Sequence, residues 1–254
     1  MKKTSRLWER IMRLSVVALL FLLAGLAVQG AEPAQKAEHL EALVPVKLDY
    51  LLFLPGNYAT KEKWPLILFL HGSGERGSDL ELVKVHGPPK LIEKGHRIPF
   101  IVVSPQCPMD KDWQPHELTA LLDDLVKKYK VDEDRIYLTG LSMGGMGTWK
   151  LAAYTPDRFA ALVPICGGGE TFWTKKFAHV PTWVFHGALD QGVPLRRSQE
   201  MVDALKKNGG NVVLTVYPEA GHDAWTETYD NPALYEWLLQ QKRKNPADNP
   251  KKNP

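Results

Sequence analysis

The chain has 254 residues, of which 44% are hydrophobic and 24% are charged. These proportions are ordinary for a soluble globular protein and exclude a disordered, collagen-like or polytopic membrane protein. The net charge of +3 is concentrated at the ends, because residues 1–30 and residues 242–254 each carry a net charge of +4. The segment between them carries a net charge of −5, so no nucleic-acid partner is expected.

The N-terminal segment, residues 1–30, has the pattern of a secretory signal peptide. Five basic side chains precede an apolar run from Leu14 to Val28, and small residues follow at Gly30 and Ala31. This order is typical of a signal that is cleaved, here near Gly30/Ala31. An uncleaved membrane anchor is the alternative, but a spanning helix needs about 20 apolar residues. We therefore predict a secreted or periplasmic protein with no membrane contact after cleavage.

Apolar strands and amphipathic helices alternate along the rest of the chain. The apolar runs predict strands at 46–54, 65–72, 99–105, 135–140, 159–165, 181–187 and 212–218. Helical periodicity predicts helices at 79–94 (interrupted by Gly-Pro-Pro at 87–89), 116–130, 143–154, 194–208 and 232–243. This alternation predicts an α/β domain over residues 31–243, with a mostly parallel sheet and helices on both faces. Residues 244–254 form a basic, proline-rich tail that we predict to be disordered.

The segment Gly140-Leu141-Ser142-Met143-Gly144 matches the pattern G-x-S-x-G. It lies where a predicted strand turns into a predicted helix, which is the context of a nucleophile elbow. Such a turn lifts the serine hydroxyl above the sheet, at the N-terminus of a helix whose dipole favours negative charge. We therefore predict Ser142 as a nucleophile; an ordinary glycine-rich loop is the alternative.

A serine nucleophile needs a base, and the base needs an acid that orients it. Asp190 follows the predicted strand that ends at Gly187, and His222 follows the strand that ends at Pro218. The order Ser142, Asp190, His222 is the nucleophile–acid–base order of α/β hydrolases, and all three follow strand ends, where such sheets bind ligands. Asp223 is a rival acid, but its adjacency to His222 gives it poor reach to the imidazole. Because His222 must be neutral to accept a proton, activity should fall at acidic pH.

The segment His71-Gly72-Ser73-Gly74 follows another strand and resembles the turn that supplies one donor of an oxyanion hole. We predict the backbone N–H of Ser73 as this donor, with Gly74 as the alternative. The second donor is the N–H of Met143, the residue after the nucleophile. His71 and His186, which both precede a glycine at a strand end, are predicted to be structural.

The connections between elements bear on the substrate. The segment Gly167–Val180 has 14 residues, too few for a helical lid, and the prolines at 88–89 predict an irregular loop at the front. An open, shallow site is therefore expected, suited to acyl groups on bulky or polymeric carriers. Trp113, Trp173 and Trp225 fall in predicted loops at this end and are candidates for stacking on a ring of the substrate, with simple loop packing as the alternative.

Neither a metal site nor a cofactor site is predicted, because the chain has no H-x-x-x-H, no Cys-x-x-Cys and no phosphate-binding glycine loop. The two cysteines, Cys107 and Cys166, would be free to form a disulfide in an oxidising compartment. They follow strands that should lie three positions apart, which is roughly 14 Å. A disulfide needs Cα atoms about 4.4–6.8 Å apart, so we predict two unpaired thiols.

The resemblance to known proteins rests on five motifs: HGSGERG, SPQCP, GLSMGGMGTW, HGALDQGVP and GHDAW. Together they resemble secreted α/β-hydrolase esterases grouped with polyhydroxybutyrate-depolymerase-like and phospholipase/carboxylesterase-like proteins. They are also similar to dienelactone hydrolase and prolyl oligopeptidase catalytic domains. The resemblance spans about residues 45–240 and implies an α/β-hydrolase fold without a large lid domain, with the same triad (Ser142, Asp190, His222) and oxyanion donors (Ser73, Met143).

The function implied is that of a secreted serine hydrolase that cleaves carboxylic esters, small or polymer-borne, through an acyl-enzyme. No cofactor is expected, and the sequence leaves the oligomeric state open. Two alternatives remain. One is a serine peptidase of prolyl-oligopeptidase type, although this chain has no room for the large propeller domain that precedes the hydrolase in those enzymes. The other is a non-catalytic carbohydrate-binding module on a hydrolase scaffold.

Overall fold

The computed structural model describes residues 39–42 and 44–243. The chain divides into a unit Met1–Val44 and a unit Pro45–Pro254, and every helix and strand given below belongs to the second unit. The predicted signal segment, residues 1–30, and the predicted tail, residues 244–254, lie outside the described residues. Across the described part of the chain, none of the helices combines the length and the apolar character that crossing a bilayer requires.

The core of the second unit is a seven-stranded sheet. Its strands are β1 (Tyr50–Phe53), β2 (Trp64–Leu70), β3 (Ile101–Pro105), β4 (Val131–Leu141), β5 (Ala161–Ile165), β6 (Thr182–Gly187) and β7 (Val212–Tyr217). They lie in the order β1-β3-β2-β4-β5-β6-β7. All neighbouring pairs are parallel except β1 and β3, which are antiparallel. The predicted mostly parallel sheet is thus confirmed.

Helices cover both faces of this sheet. They are α1 (Gly87–Glu93), α2 (Pro115–Lys128), α3 (Met143–Tyr154), α4 (Thr174–Phe177), α5 (Arg196–Lys207), α6 (Ala224–Asp230) and α7 (Pro232–Gln240). Helices α2 to α5 contribute side chains to one hydrophobic cluster, which we call the front core. Helices α1, α6 and α7 contribute to a second cluster, the back core. The architecture is the expected α/β-hydrolase fold.

The apolar patterns of the sequence have a direct counterpart in the packing. All seven residues of β2 are buried, as expected for a central strand covered by helices on both faces. In α2 the buried residues are Leu118, Leu121, Leu122 and Leu125, which recur at steps of three and four. Each such leucine contributes about 1.5–3 kcal/mol by burial, so the amphipathic stripe fixes this helix on the sheet.

Several local predictions were wrong; one is the start of β1, which begins at Tyr50, four residues later than predicted. The predicted helix 79–94 is interrupted, but at His86, one residue before Gly-Pro-Pro: a 3₁₀ helix (Leu80–Val85) ends there. Pro88 and Pro89 lie in the first turn of α1, where a proline loses no intrahelical hydrogen bond because the first N–H groups have no acceptor in the helix. Strand β4 begins at Val131, four residues earlier than predicted. Helix α6 was not predicted at all; it starts after Asp223, whose carboxylate accepts the N–H of Thr226 at 3.3 Å.

Within residues 44–243, the connections leave the carboxyl end of the sheet without a large lid. In the described segment between β5 and β6, a 3₁₀ turn (Thr171–Trp173) is followed by the four-residue helix α4. Ser142 follows β4, Asp190 lies beyond β6, and His222 lies beyond β7. Because these strands are parallel, the three residues lie at the same edge of the sheet.

Cys107 and Cys166 are both buried and unpaired, as predicted. They follow β3 and β5, which are separated in the sheet by β2 and β4. Burial raises the pKa of Cys107 to about 11 and that of Cys166 to about 12, so both thiols are protonated at neutral pH.

Candidate active site

Ser142 forms a strained turn between β4 and α3. Its backbone has φ 53° and ψ −114°, and a positive φ is rare for a residue with a side chain. The turn is tight because neighbouring chain comes close on both sides. A Cβ atom on Gly140 would lie 2.4 Å from the carbonyl oxygen of Gly144, and one on Gly144 would lie 1.9 Å from that of Leu70. Both flanking glycines of the motif are therefore required by packing.

The structure brings the three predicted side chains into one hydrogen-bonded chain. His222 Nε2 lies 2.9 Å from the hydroxyl oxygen of Ser142, and His222 Nδ1 lies 2.7 Å from Asp190 Oδ2. The Asp190 side chain is fully buried, whereas that of His222 is one-third exposed. Nδ1 carries a proton that it donates to the carboxylate, which leaves Nε2 to accept the proton of the serine.

Asp190 is held as a carboxylate by several donors. Its Oδ1 accepts the N–H groups of Gly192 at 2.9 Å and Val193 at 2.8 Å. Burial by itself would raise the pKa of Asp190, but the hydrogen bonds from His222 and from the Val193 N–H outweigh it, and the pKa is lowered. The Asp190 side chain is therefore ionised and held in a fixed orientation.

Asp223, the rival acid, has a different role. It is exposed and caps α6, where its Oδ1 accepts the N–H of Thr226 at 3.3 Å and its hydroxyl at 2.8 Å. Its hydrogen-bonding partners lie within the same turn, so Asp223 stabilises the helix that follows His222.

Behind Asp190, the side chains of Cys166, His186 and Asp190 place metal-binding atom types within 4.8 Å of one another. Protein hydrogen bonds account for this cluster. His186 Nε2 lies 3.1 Å from Asp190 Oδ2 and 2.8 Å from the carbonyl oxygen of Val193, and the thiol of Cys166 lies within 4.8 Å of both side chains. Because both neighbours of Nε2 are acceptors, Nε2 carries a proton. We interpret the cluster as a hydrogen-bonded support of the acid.

The two predicted oxyanion donors lie at the starts of helical turns. Ser73 is the first residue of a 3₁₀ turn (Ser73–Glu75), and Met143 is the first residue of α3. The first N–H groups of a helix have no acceptor within it and are therefore available to a ligand. The two turns are neighbours, since a Cβ atom on Gly72 would lie 2.7 Å from the Leu141 side chain.

The sequence predicts that Glu75 fixes this loop through an ion pair with Arg76; the structure confirms that it fixes the turn, but its carboxylate contacts a backbone N–H and His86 instead. Its Oε2 accepts the N–H of Gly72 at 2.9 Å, and its Oε1 lies 3.7 Å from His86 Nε2. The Gly72 N–H is therefore occupied, which supports the choice of a later N–H as the donor. The spacing of a glutamate three residues after the start of a turn, as in a capping box, is the signal in the sequence that points to this contact.

His71 also holds the turn at Gly72 and Ser73 in place, through both nitrogens of its ring. Its Nδ1 donates to the carbonyl oxygen of Gly72 at 2.7 Å, and its Nε2 accepts the N–H of Cys107 at 3.0 Å. Burial is the main cause that lowers its pKa, so the ring is neutral. This is the structural role predicted for His71.

The three tryptophans differ in their surroundings. Trp113 is only 3% exposed, and its indole N–H donates to the carbonyl oxygen of His71 at 3.1 Å. Trp173 is partly buried at the end of a 3₁₀ turn. Trp225 does not lie in a loop as predicted but in α6, with its ring 5.1 Å from that of His222 in an edge-on arrangement. Trp113 and Trp173 line a cavity next to Met143, whereas Trp225 packs behind the base.

Comparison with known proteins places this geometry in a family. The model of the dienelactone hydrolase family matches residues 107–243, which include Ser142, Asp190 and His222. The crystal structure of a thermostable esterase is 35% identical with a TM-score of 0.68, covering 78% of this chain and 60% of that one.

Two curated relatives are 30% identical. The bifunctional acetylxylan esterase/xylanase of Neocallimastix patriciarum matches over 172 residues, which are 63% of this chain and 23% of that protein. Poly(3-hydroxyalkanoate) depolymerase C of Paucimonas lemoignei matches over 121 residues, 41% of this chain and 28% of that protein. The chain thus spans about a quarter of the length of these two relatives. Since the family model covers more than half of the chain, this protein belongs to the dienelactone hydrolase family.

Proposed function

We propose that this protein is a serine hydrolase that cleaves carboxylic esters through an acyl-enzyme intermediate. The observation that carries the proposal is the continuous hydrogen-bonded chain from the Ser142 hydroxyl through His222 to Asp190, with distances of 2.9 and 2.7 Å. The similarity to esterases supports the same reaction class.

In the acylation step, Ser142 Oγ attacks the ester carbonyl carbon while its proton passes to His222 Nε2. The carbonyl oxygen becomes an oxyanion that accepts the N–H groups of Met143 and Ser73, each worth about 2.7–4 kcal/mol of barrier. The bond to the alcohol oxygen then breaks, and His222 returns the proton to that oxygen. Asp190 stabilises the imidazolium that exists between the two transfers.

Deacylation repeats these roles with water. A water molecule gives a proton to His222 Nε2 and attacks the acyl carbon, and the bond to Ser142 Oγ breaks as the proton moves back to the serine. The acid is released and the free serine is restored. The side chains and backbone N–H groups of this chain, together with water, suffice for every step.

The substrates that we propose are esters whose alcohol part is bulky or polymeric. Two features support this. Exposed residues (Ser73, Gly74 and Gly192) surround the triad, and in the described residues the segment between β5 and β6 forms no helical lid. The two curated relatives are named for esters borne on polymers.

The N-terminal pattern supports export, and we propose that the mature protein acts in the periplasm or outside the cell. Mass spectrometry of the protein recovered from those fractions should give an N-terminus near Ala31. An intact N-terminus on the recovered protein would contradict cleavage.

The decisive experiment compares wild type with Ser142→Ala on acetyl, butyryl, feruloyl and polyester substrates. We expect Ser142→Ala to lose at least about 10⁴-fold in kcat and to lose labelling by a fluorophosphonate. Ser78→Ala, an exposed serine of the loop after the oxyanion turn, is the matched control and should behave as wild type. Ester turnover that survives in Ser142→Ala would refute the nucleophile, and faster cleavage of amides than of esters would favour a peptidase.

A further inference from the structure

The side chains on the two sides of Ser142 belong to different hydrophobic clusters, one on each side of the sheet. Met143, Trp113 and Trp173 pack on the front core. Trp225, which contacts the ring of His222, packs on the back core. An ester bound at Ser142 therefore has its two substituents divided between these sides.

The proton transfer to the leaving alcohol determines on which side of Ser142 the alcohol part and the acyl part of the ester lie. His222 must return its proton to the leaving alcohol, so the alcohol oxygen has to lie within hydrogen-bonding reach of Nε2. Gly192, which lies against the His222 ring, is exposed, so there is space for a large alcohol there. The acyl part then extends from the carbonyl carbon toward the side of Met143.

A groove of about 250 Å³ begins at Met143 on that side. It follows one face of α3 past Met146 and Gly147 to Lys150, a distance of about 10 Å along the helix axis. Trp113 packs directly on Gly147, since a Cβ atom there would lie 2.8 Å from the indole ring. The absence of a side chain at Gly147 thus lets the Trp113 ring pack against α3, where it forms one wall of the groove.

The lining indicates the chemical class of the acyl group. The apolar part of the lining consists of thioether and aromatic side chains, Met143, Met146 and Trp173, which suit a flat ring. Lys150, at the far end, pairs with Asp112 at 3.2 Å. Arg197, which also lines the groove, packs on Gly168 and pairs with Glu200 at 3.1 Å.

Glu200 is shared with Arg196 at 2.6 Å, and the carboxylate of Glu170 also lines the groove. The three cations and three carboxylates therefore leave no net charge to attract an acidic group, but they offer polar partners to hydroxyl or methoxy groups. A cavity of about 150 Å³ holds one benzene ring, so this groove accommodates a ring and a short linker.

We infer that the groove is the acyl site and that it takes a neutral arylalkanoyl or arylalkenoyl group with polar substituents on its ring. This assignment rests on the proposed esterase function and adds to it the side and the class of the acyl group. The bulky alcohol remains on the open side, next to His222.

Two matched series of esters test the assignment. The acyl series consists of ethyl esters of acetic, butyric, 3-phenylpropanoic and 3-(4-hydroxyphenyl)propanoic acids. The alcohol series consists of acetates of ethanol, benzyl alcohol and a methyl glycoside. Each series is measured with wild type, with Met146→Trp, which fills the groove, and with Met109→Trp, an exposed methionine outside it.

We expect wild type to prefer the aryl acids over acetic acid in kcat/KM. Met146→Trp should lower the ratio of aryl to acetyl turnover by about tenfold or more while the ratios within the alcohol series stay constant. Met109→Trp should change neither the ratio of aryl to acetyl turnover nor the ratios within the alcohol series. Trp173→Ala removes one wall of the groove and should weaken the same preference, which gives a second variant if Met146→Trp does not fold.

A change confined to the alcohol series in Met146→Trp would overturn the assignment, because the groove would then hold the leaving group. Wild type that cleaves acetates but discriminates against both aryl acids would also overturn it. Absence of turnover on every ester, together with no fluorophosphonate labelling, would instead refute the proposed function itself.

Discussion

His186 Nε2 lies 3.1 Å from Asp190 Oδ2, the same oxygen that accepts the proton-bearing Nδ1 of His222. The His186 side chain is fully buried, and its Nδ1 lies 2.7 Å from the hydroxyl of Ser198. The acid is thus held from behind by a second histidine whose two ring nitrogens both have partners. In the proposed mechanism, His186 acts through Asp190, as a positioning residue.

Replacing His186 should weaken both the orientation and the ionisation of Asp190. Since the charge interaction with His186 contributes to lowering the pKa of Asp190, His186→Leu should raise that pKa and move the acid limb of kcat/KM to higher pH. A hydrogen bond to a charged group is worth about 1.5–3 kcal/mol, so kcat should fall about 10- to 100-fold. His186→Gln, which keeps an N–H donor, should recover part of both effects. If kcat falls but the acid limb of kcat/KM stays at the same pH as in wild type, His186 contributes only through packing.

The packing around the nucleophile elbow makes Gly144 irreplaceable. Gly144→Ala should destabilise the protein by about 3 kcal/mol or prevent folding, because the new methyl group would lie 1.9 Å from the backbone oxygen of Leu70. Gly56→Ala is the control, because no atom lies within 4 Å of a Cβ there. Urea unfolding measures both variants. A Gly144→Ala protein as stable as wild type would show that the elbow can move away from β2.

The two buried thiols should be inert in the folded protein. Burial raises the pKa of Cys107 to about 11 and that of Cys166 to about 12, and the thiolate is the reactive form. At pH 7.5 we expect no labelling by iodoacetamide until denaturant unfolds the chain, after which two groups react. Mass spectrometry after timed labelling gives the count. Rapid labelling of either cysteine under native conditions would contradict the buried, protonated state.

Stability should decrease at mildly acidic pH because of His71. Its folded pKa is lowered from the ordinary value of 6.5, mainly by burial. The unfolded chain therefore binds more protons below pH 6.5, and the free energy of unfolding falls as the pH drops from 6.5 toward the folded pKa. His71→Gln should show a flatter dependence between pH 7 and 5, measured by urea unfolding at each pH. Equal slopes for wild type and variant would exclude His71 as the source.

Local sequence patterns were enough to predict the sheet and the three residues at its edge, Ser142, Asp190 and His222. A strand covered on both faces must be apolar throughout, as β2 is, and this pattern can be read without any partner. The elbow is likewise local, because a strand, a tight turn and a helix follow one another in the chain around Ser142. The order of strands then fixes which loops share one edge.

Other features depend on contacts between residues far apart in sequence. Helix α6 was missed because part of its stability comes from the burial of Ala224 and Tyr229 in the back core. Strands that are distant in the sequence contribute to that core. The close approach of His186 and Cys166 to Asp190, and the groove between α3 and the loop after β5, exist only once β4, β5 and β6 are in register.

The sequence by itself determined which residue types stand at the strand ends, because burial imposes a local pattern on each element. The tertiary structure alone decided which donors reach the acid, which backbone N–H groups remain free, and on which side of Ser142 a groove opens. Hydrogen bonds and cavities depend on distances of a few ångströms between separate elements, and no local pattern encodes those distances.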